Sequence, residues 1–217
     1  MITTTSSSVL PRLSVFPLPS TVLFPGVVLP LHIFEPRYRD MVVDALAGDK
    51  TMAVALMRQG SEQQERPHLH QVACAGHIIH SEKLTGGRYN ILLEGTHRVR
   101  LLEELPFERT YRRFSAEVVP APSESDIRAA QAELLKLESS MLSLVGAVGT
   151  TDTQLIEVLR STPDPMKLAD IMAATLITEP HKQQEILEAT DLRARLARLT
   201  DALVDVLARA RPIAQAN

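Results

Sequence analysis

No aromatic residue follows Phe114. All five Phe and three Tyr of this 217-residue chain lie between Phe16 and Phe114. A second half without rings must build its core from aliphatic side chains, which suits helices packed on helices. A ring-containing first half cut by Gly and Pro suits short strands. The charges shift at the same place: residues 1–120 carry 13 basic and 12 acidic side chains, residues 121–217 carry 10 and 14. The change falls at Pro120-Ala-Pro122-Ser-Glu-Ser125, breakers followed by helix-starting residues. The sequence therefore predicts a disordered polar tail over 1–11, a sheet subdomain over 12–120 and a helical subdomain over 121–217.

Within the first half, Thr51–Met57, Val72–His80, Tyr89–Leu93, His97–Leu102 and Phe114–Val119 read as strands bounded by turn residues. Thr85-Gly-Gly-Arg88 supplies a hairpin turn, because two glycines accept positive φ without a Cβ clash. Gly95-Thr96 closes or bends a second pairing. Strands at this spacing imply a small antiparallel barrel or sandwich rather than a βαβ sheet. One helix interrupts them: Pro36 fits a first-turn position, and Tyr38, Met41, Val42, Ala45 and Leu46 form an apolar stripe ending at Gly48.

The second half reads as helices. Ile127, Ala130, Leu134, Leu137, Met141 and Leu144 recur at helical spacing. Thr151-x-x-Gln154 has the form of a capping box ahead of Leu155, Ile156 and Leu159. Asp164-Pro165 looks like an N-cap followed by proline at the first helical position, leading into Leu168, Ile171, Met172 and Leu176. Thr178-Glu-Pro180 opens a last helix. With no Gly or Pro from His181 to Arg211, that helix is expected to run unbroken for roughly 45 Å. Leu192, Leu196, Leu199, Leu203, Val206 and Ala210 form its stripe.

Charge and composition exclude several classes. The stretch Leu13–Phe34 has no charged side chain and is long enough to cross a bilayer. Pro17, Pro19, Pro25 and Pro30 would leave carbonyls unsatisfied in lipid, so a membrane helix is not expected. Nothing near the N-terminus has the form of a secretory signal. A net charge of -3 gives no overall basic field for nucleic acid. The single cysteine, Cys74, rules out an intrachain disulfide and suits a reducing cytoplasm.

Motifs for chemistry are sparse. Gly86-Gly87 lacks the Lys and Ser/Thr of a phosphate-binding loop, and no G-x-S-x-G elbow occurs. His68, His70, Cys74, His77 and His80 cluster in sequence and have the donor chemistry for zinc or copper. On an uninterrupted strand, however, Cys74 and His80 face one side and His77 the other, so no metal or other cofactor is expected. Arg98, Arg100, Arg109, Arg112 and Arg113 with Tyr111 and Phe114 combine cations and rings as single-strand nucleic-acid binders do. Glu103, Glu104 and Glu108 offset that charge, and nucleic acid is a minor alternative.

Two longer stretches carry a resemblance. Phe16-Pro-Leu-Pro-Ser-Thr-Val-Leu-Phe-Pro-Gly-Val-Val-Leu-Pro-Leu-His-Ile-Phe-Glu-Pro-Arg-Tyr38 resembles the opening signature of the Lon N-terminal (substrate-binding) domain family. Gly86-Gly-Arg-Tyr-Asn-Ile-Leu-Leu-Glu-Gly-Thr-His-Arg98 is similar to its second signature, a hairpin followed by Glu-Gly-x-x-Arg. The stretch from Leu168 to Leu196 is similar to its helical end. The likeness covers about residues 12–210. It implies an α+β architecture, a PUA-like antiparallel β-barrel with one inserted helix followed by a C-terminal helical bundle. It implies a role in recognising polypeptide. With no Walker motif and no room for a protease domain, the chain resembles a stand-alone, non-enzymatic member.

The expected activity is capture of unfolded or extended polypeptide on apolar surface near the barrel–bundle junction, helped by sheet-edge hydrogen bonds. Phe34, Tyr38 and Tyr89 are the candidate polypeptide-binding residues, weighed against core packing. Glu35 and Arg37 are expected to pair with Arg98 and Glu94 in a structural polar network. The alternative is a structural or regulatory interaction protein, a homodimer or the partner of a protease, using the stripe of the last helix, although packing within the chain is the favoured use of that stripe. A catalytic cleft is the third reading. The expected location is cytoplasmic, with no membrane partner.

Overall fold

The computed structural model describes residues 8–148, 157 and 164–214. The chain divides into two compact units, one ending at Pro120 and the other beginning at Ala121.

The first unit has six strands and one helix: β1 (Val9–Leu18), β2 (Val28–Ile33), α1 (Pro36–Ala47), β3 (Thr51–Leu56), β4 (Val72–Lys83), β5 (Tyr89–Glu104) and β6 (Arg113–Val118). The sheet order is β2-β5-β4-β3-β1-β6, and β6 also pairs with the far half of β5. The ladder thus runs from β5 through β4, β3, β1 and β6 back to β5, with β2 left on the outside. The sheet is mixed, not wholly antiparallel as expected: β1 and β3 are parallel. The intervening β2 and α1 supply the long crossover that a parallel pair requires.

Strand β1 escaped the sequence reading because Pro11 and Pro17 interrupt it and prolines signal breaks. It starts at Val9, inside the stretch read as tail, and pairs Val9 with Glu117 and Leu10 with Ala116. Residues 1–7 lie outside the described residues.

The two strands expected at 89–93 and 97–102 are one strand of 16 residues. β2 pairs with residues 89–94 of it and β6 with residues 99–104, so β5 changes partner at Gly95-Thr96. Opposite this point the register with β4 slips between Ala75 and Gly76, a bulge that bends the strand. The two stretches carrying the family resemblance meet here: Gly26 donates its amide to the Gly95 carbonyl at 2.7 Å, and Gly95 donates to Val27 at 2.9 Å. A Cβ on Gly95 would stand 2.1 Å from the Phe24 carbonyl oxygen, so no other residue fits.

Alternation along β3 and β4 buries both faces. One face, with Met52, Val54, Cys74 and Ile78, joins Tyr38, Met41, Val42 and Ala45 of α1 and Ile91 and Leu93 of β5. The other, with Ala53, Ala55, Ala73 and Ala75, joins Val15, Val99, Leu101, Phe114 and Ala116. Helix α1 follows its sequence pattern, with Pro36 in the first turn and Gly48 at the C-cap.

The second unit contains α2 (Glu124–Ala129), α3 (Gln131–Val148), α4 (Pro165–Leu176), α5 (Pro180–Glu188) and α6 (Leu192–Ala214). The expected helix through Ile127 and Leu144 is broken at Ala130, and Ser123 starts its first part in a capping box with Asp126. Asp164 accepts from the Met166 amide at 2.8 Å, with Pro165 next, as its sequence indicates. The capping box expected at Thr151 lies outside the described residues.

The unbroken last helix is corrected. It stops at Glu188 and restarts at Leu192, where Asp191 caps the Ala194 amide at 2.8 Å. Buried Arg195 donates to the Ala189 carbonyl at 2.9 Å, satisfying an acceptor freed by the break. The stripe Leu192, Leu196, Leu199 and Leu203 is buried, and α6 packs on α3, α4 and α5. The stripe is spent on packing within its own unit, the first of its two expected uses.

Candidate functional site

β2 stands at the edge of the sheet. Leu29, Leu31 and Ile33 turn toward the core, the first two only half-buried. Val28, Pro30 and His32 are exposed on the opposite face. Beyond them Phe34 is 61% exposed, and its ring stacks on that of His32 with centroids 6.1 Å apart. His32 is held in turn across the strands: its Nδ1 lies 2.7 Å from Asn90 Oδ1, and Asn90 donates to Glu82 at 3.4 Å. A stacked, hydrogen-bonded imidazole fixes one side of an otherwise open phenyl ring, a geometry that offers apolar area at little cost in side-chain entropy.

The other candidate aromatics are elsewhere. Tyr38 and Tyr89 are each 7% exposed and belong to the core beneath α1. Tyr38 packs edge-on against Phe16 at 4.5 Å, and burial pushes its phenol pKa up. Phe34, for which core packing is the competing expectation, is the first residue after β2 and points outward instead.

The four charged candidates separate as well. Glu35 and Arg37 bind one another at 2.8 Å on the surface, just before and within the first turn of α1. Glu94 lies in β5 opposite Val28 and His77. Arg98 is 6% exposed, its guanidinium 5.9 Å from the Phe24 ring. Glu35 and Arg37 lock the start of a helix, while Arg98 lies inside the sheet unit.

The basic cluster is largely neutralised. Arg112 makes a two-pronged contact with Glu104 at 2.7 Å, which Arg66 also binds. Arg113 holds Glu108 at 2.8 Å and Arg109 holds Asp44 at 3.4 Å. Tyr111 and Phe114 are buried, and the Tyr111 hydroxyl donates to Asp44 at 2.7 Å. Burial first, then this carboxylate, push the Tyr111 pKa up. Tyr111 and Phe114, the two rings of that cluster, are thus withdrawn from the face that single strands would stack on. Asp44, Glu108, Arg109 and Tyr111 line a groove of about 600 Å³ between α1 and the β5–β6 loop, where Val43 and Phe107 are exposed. No local pattern of residues signals this groove, since its walls lie some seventy residues apart.

The histidine cluster also rearranges. A bulge between Ile78 and His80 reverses the alternation of β4, so His80 joins His77 outside while Cys74 stays buried. The expected pairing of Cys74 and His80 on one face is therefore corrected. Among the described residues, no three His, Cys, Asp or Glu come together as metal ligands, and no helix is long and apolar enough to cross a membrane.

The sheet unit thus has a free edge with an anchored, exposed ring, and the helical unit buries its own stripe. Comparison with known proteins gives the chain a family. The model of the ATP-dependent protease La (Lon) substrate-binding domain matches residues 12–205, and the chain belongs to this family. It is 28% identical over 201 residues to a Lon protease of Methylocella silvestris and 29% identical over 200 residues to Lon protease 2 of Herpetosiphon aurantiacus. Each match covers 90% of this chain and 24% of the relative, so the chain spans about a quarter of their length. Among solved structures, the N-terminal domain of a Mycobacterium avium complex Lon protease superposes with a TM-score of 0.67 at 21% identity, covering 89% of this chain and 98% of that one. A Lon N-terminal domain protein from Xanthomonas campestris gives 0.61 at 19% identity, covering 88% and 98%. The architecture is that of Lon N-terminal domains.

Proposed function

We propose that the chain recognises unfolded or extended polypeptide and binds it without chemical transformation. The surface is the β2 edge with Phe34. The observation that carries this reading is an open, anchored ring beside a sheet edge, in a chain of the Lon substrate-binding family. An extended chain exposes both apolar side chains and unpaired backbone groups, and this surface meets both needs. On the same reading the first unit is a PUA-like barrel, supported by the ladder that returns to β5. The second is a helical bundle around α6. A protease acting on captured chains is the proposed partner, in a reducing cytoplasm where the buried Cys74 stays a thiol.

The test uses a labelled protein kept unfolded by reduction and alkylation, titrated with the wild-type chain and with Phe34→Ser. Saturable binding that weakens about tenfold in the variant, with melting unchanged, supports the proposal; a solvent-exposed ring contributes binding area and little stability. Absence of binding by the wild type, or equal binding by the variant, contradicts it. A second reading, an interaction protein that docks a helical partner, is supported by Leu135 and Leu142, exposed and seven residues apart on α3. Light scattering of Leu135→Glu/Leu142→Glu beside the wild type decides it: loss of self-association would favour that reading.

A further inference from the structure

The direction of the β2 backbone says how a client would be held. Gly95 donates its amide to the Val27 carbonyl. Antiparallel ladders alternate bonded and non-bonded residue pairs. Counting along the continuous register from that bond, Leu29, Leu31 and Ile33 make the bonded pairs with β5. Val28, Pro30 and His32 occupy the non-bonded pairs, and their backbone groups point away from β5. The His32–Asn90 contact at 2.7 Å agrees, because side chains approach most closely at non-bonded pairs. Among the described residues no strand lies on that outer side. The edge therefore presents carbonyls at Val28, Pro30 and His32 but amides only at Val28 and His32, since proline has none.

We infer that the client is bound as an extended strand added to this edge, and that Pro30 makes the edge favour a foreign strand over a second copy of the chain. The inference rests on the polypeptide-binding reading above and specifies its ligand. A row of outward carbonyls and amides complements an extended backbone. A client residue opposite Pro30 gives its amide to the Pro30 carbonyl and receives nothing back, so a foreign strand loses one bond. Two copies of β2 paired with each other place two prolines in the ladder and lose two, in any register that includes both. This is how an edge strand stays open to clients without recruiting itself. Leu29 and Leu31, half-buried on the core side, accept apolar client residues at alternate positions. Phe34 covers the other face.

The test is an N-methyl scan. A labelled heptapeptide, Lys-Thr-Leu-Thr-Val-Thr-Lys, is methylated at one backbone nitrogen at a time and titrated with the full chain. Removing an amide that bonds to β2 is expected to weaken binding about fivefold, and removing one that points away to change it less than about twofold. The losses therefore alternate along the peptide. A flat profile, or losses without alternation, overturns strand addition while leaving polypeptide recognition in place. So does failure of the heptapeptide to bind when the alkylated unfolded protein does. If neither binds, the broader reading fails as well. Pro30→Val supplies a second measurement, since its residue is exposed and its change restores an outward amide. It is expected to bind the unmethylated peptide several-fold more tightly and to self-associate in sedimentation where the wild type does not. Unchanged affinity in this variant contradicts the assignment of Pro30 to the outer edge.

Discussion

The two units place their apolar residues differently. In the helical unit, α6 turns Leu192, Leu196, Leu199 and Leu203 inward against three neighbouring helices. In the sheet unit, β2 gives one side to β5, leaves Leu29 and Leu31 half-covered and puts Phe34 in the open. A helix has a single apolar stripe and spends it where it packs. A strand has two faces and two edges, and a sheet that is not fully ringed leaves one edge over. The contrast favours the sheet unit as the binding surface under the proposed reading and gives the helical stripe to packing within its own unit.

The comparison is broken most severely at the junction that creates the free edge. Gly95→Ala drives a methyl group into the Phe24 carbonyl and the Cys74 Sγ. Loss of about 3 kcal/mol or more in chemical denaturation is expected, because backbone cannot yield as a side chain does. Next comes the helical stripe. Leu196, fully buried, is expected to cost about 2–5 kcal/mol when changed to Ala, with client affinity of the folded protein unchanged. Asp164→Ala removes the cap on the Met166 amide and is expected to lower stability by about 1 kcal/mol. At the bottom of the scale, Phe34→Ser changes stability by less than about 0.5 kcal/mol while weakening client binding. A large stability loss in Phe34→Ser would erase the contrast between the two regions.

Acid sharpens the comparison within the sheet unit. The carboxyl of Glu104 sits below its ordinary value of 4.5, first because Arg112 donates to it, with Arg66 adding a second bond. A carboxylate lowered by folding stabilises the protein fully above its unfolded value, and that stabilisation is lost as pH falls through the lower folded one. Melting temperatures measured downward from pH 5 are expected to fall more steeply for the wild type than for Glu104→Gln. Parallel curves would remove Glu104 from the acid response.

Much of this was legible from residues. Helix α1 kept its stripe, Asp164-Pro165 kept its cap, and the hairpin turn kept two glycines at positive φ. The two stretches with family resemblance were legible as stretches, but not that they meet at Gly95, because hydrogen bonds between residues about seventy apart leave no local periodicity. β1 was hidden by its prolines, and the α5–α6 break by the absence of Gly or Pro. The break signal was Thr190-Asp191, a cap weaker in sequence than a breaker, together with an arginine whose role is visible only in the fold. Of the candidate site, Phe34 could be named and its exposure could not. Tyr38 and Tyr89 have the same chemistry, and only register separates a ring on the core face from one at an edge.

The most direct test is amide hydrogen exchange of the full chain, free and saturated with an unfolded client. The outward amides of Val28 and His32 are predicted to gain at least about tenfold protection, while those of Leu196 and Leu199 in α6 stay unchanged. Protection gained in α6, with Val28 and His32 exchanging as before, would contradict the placement of binding on the sheet edge.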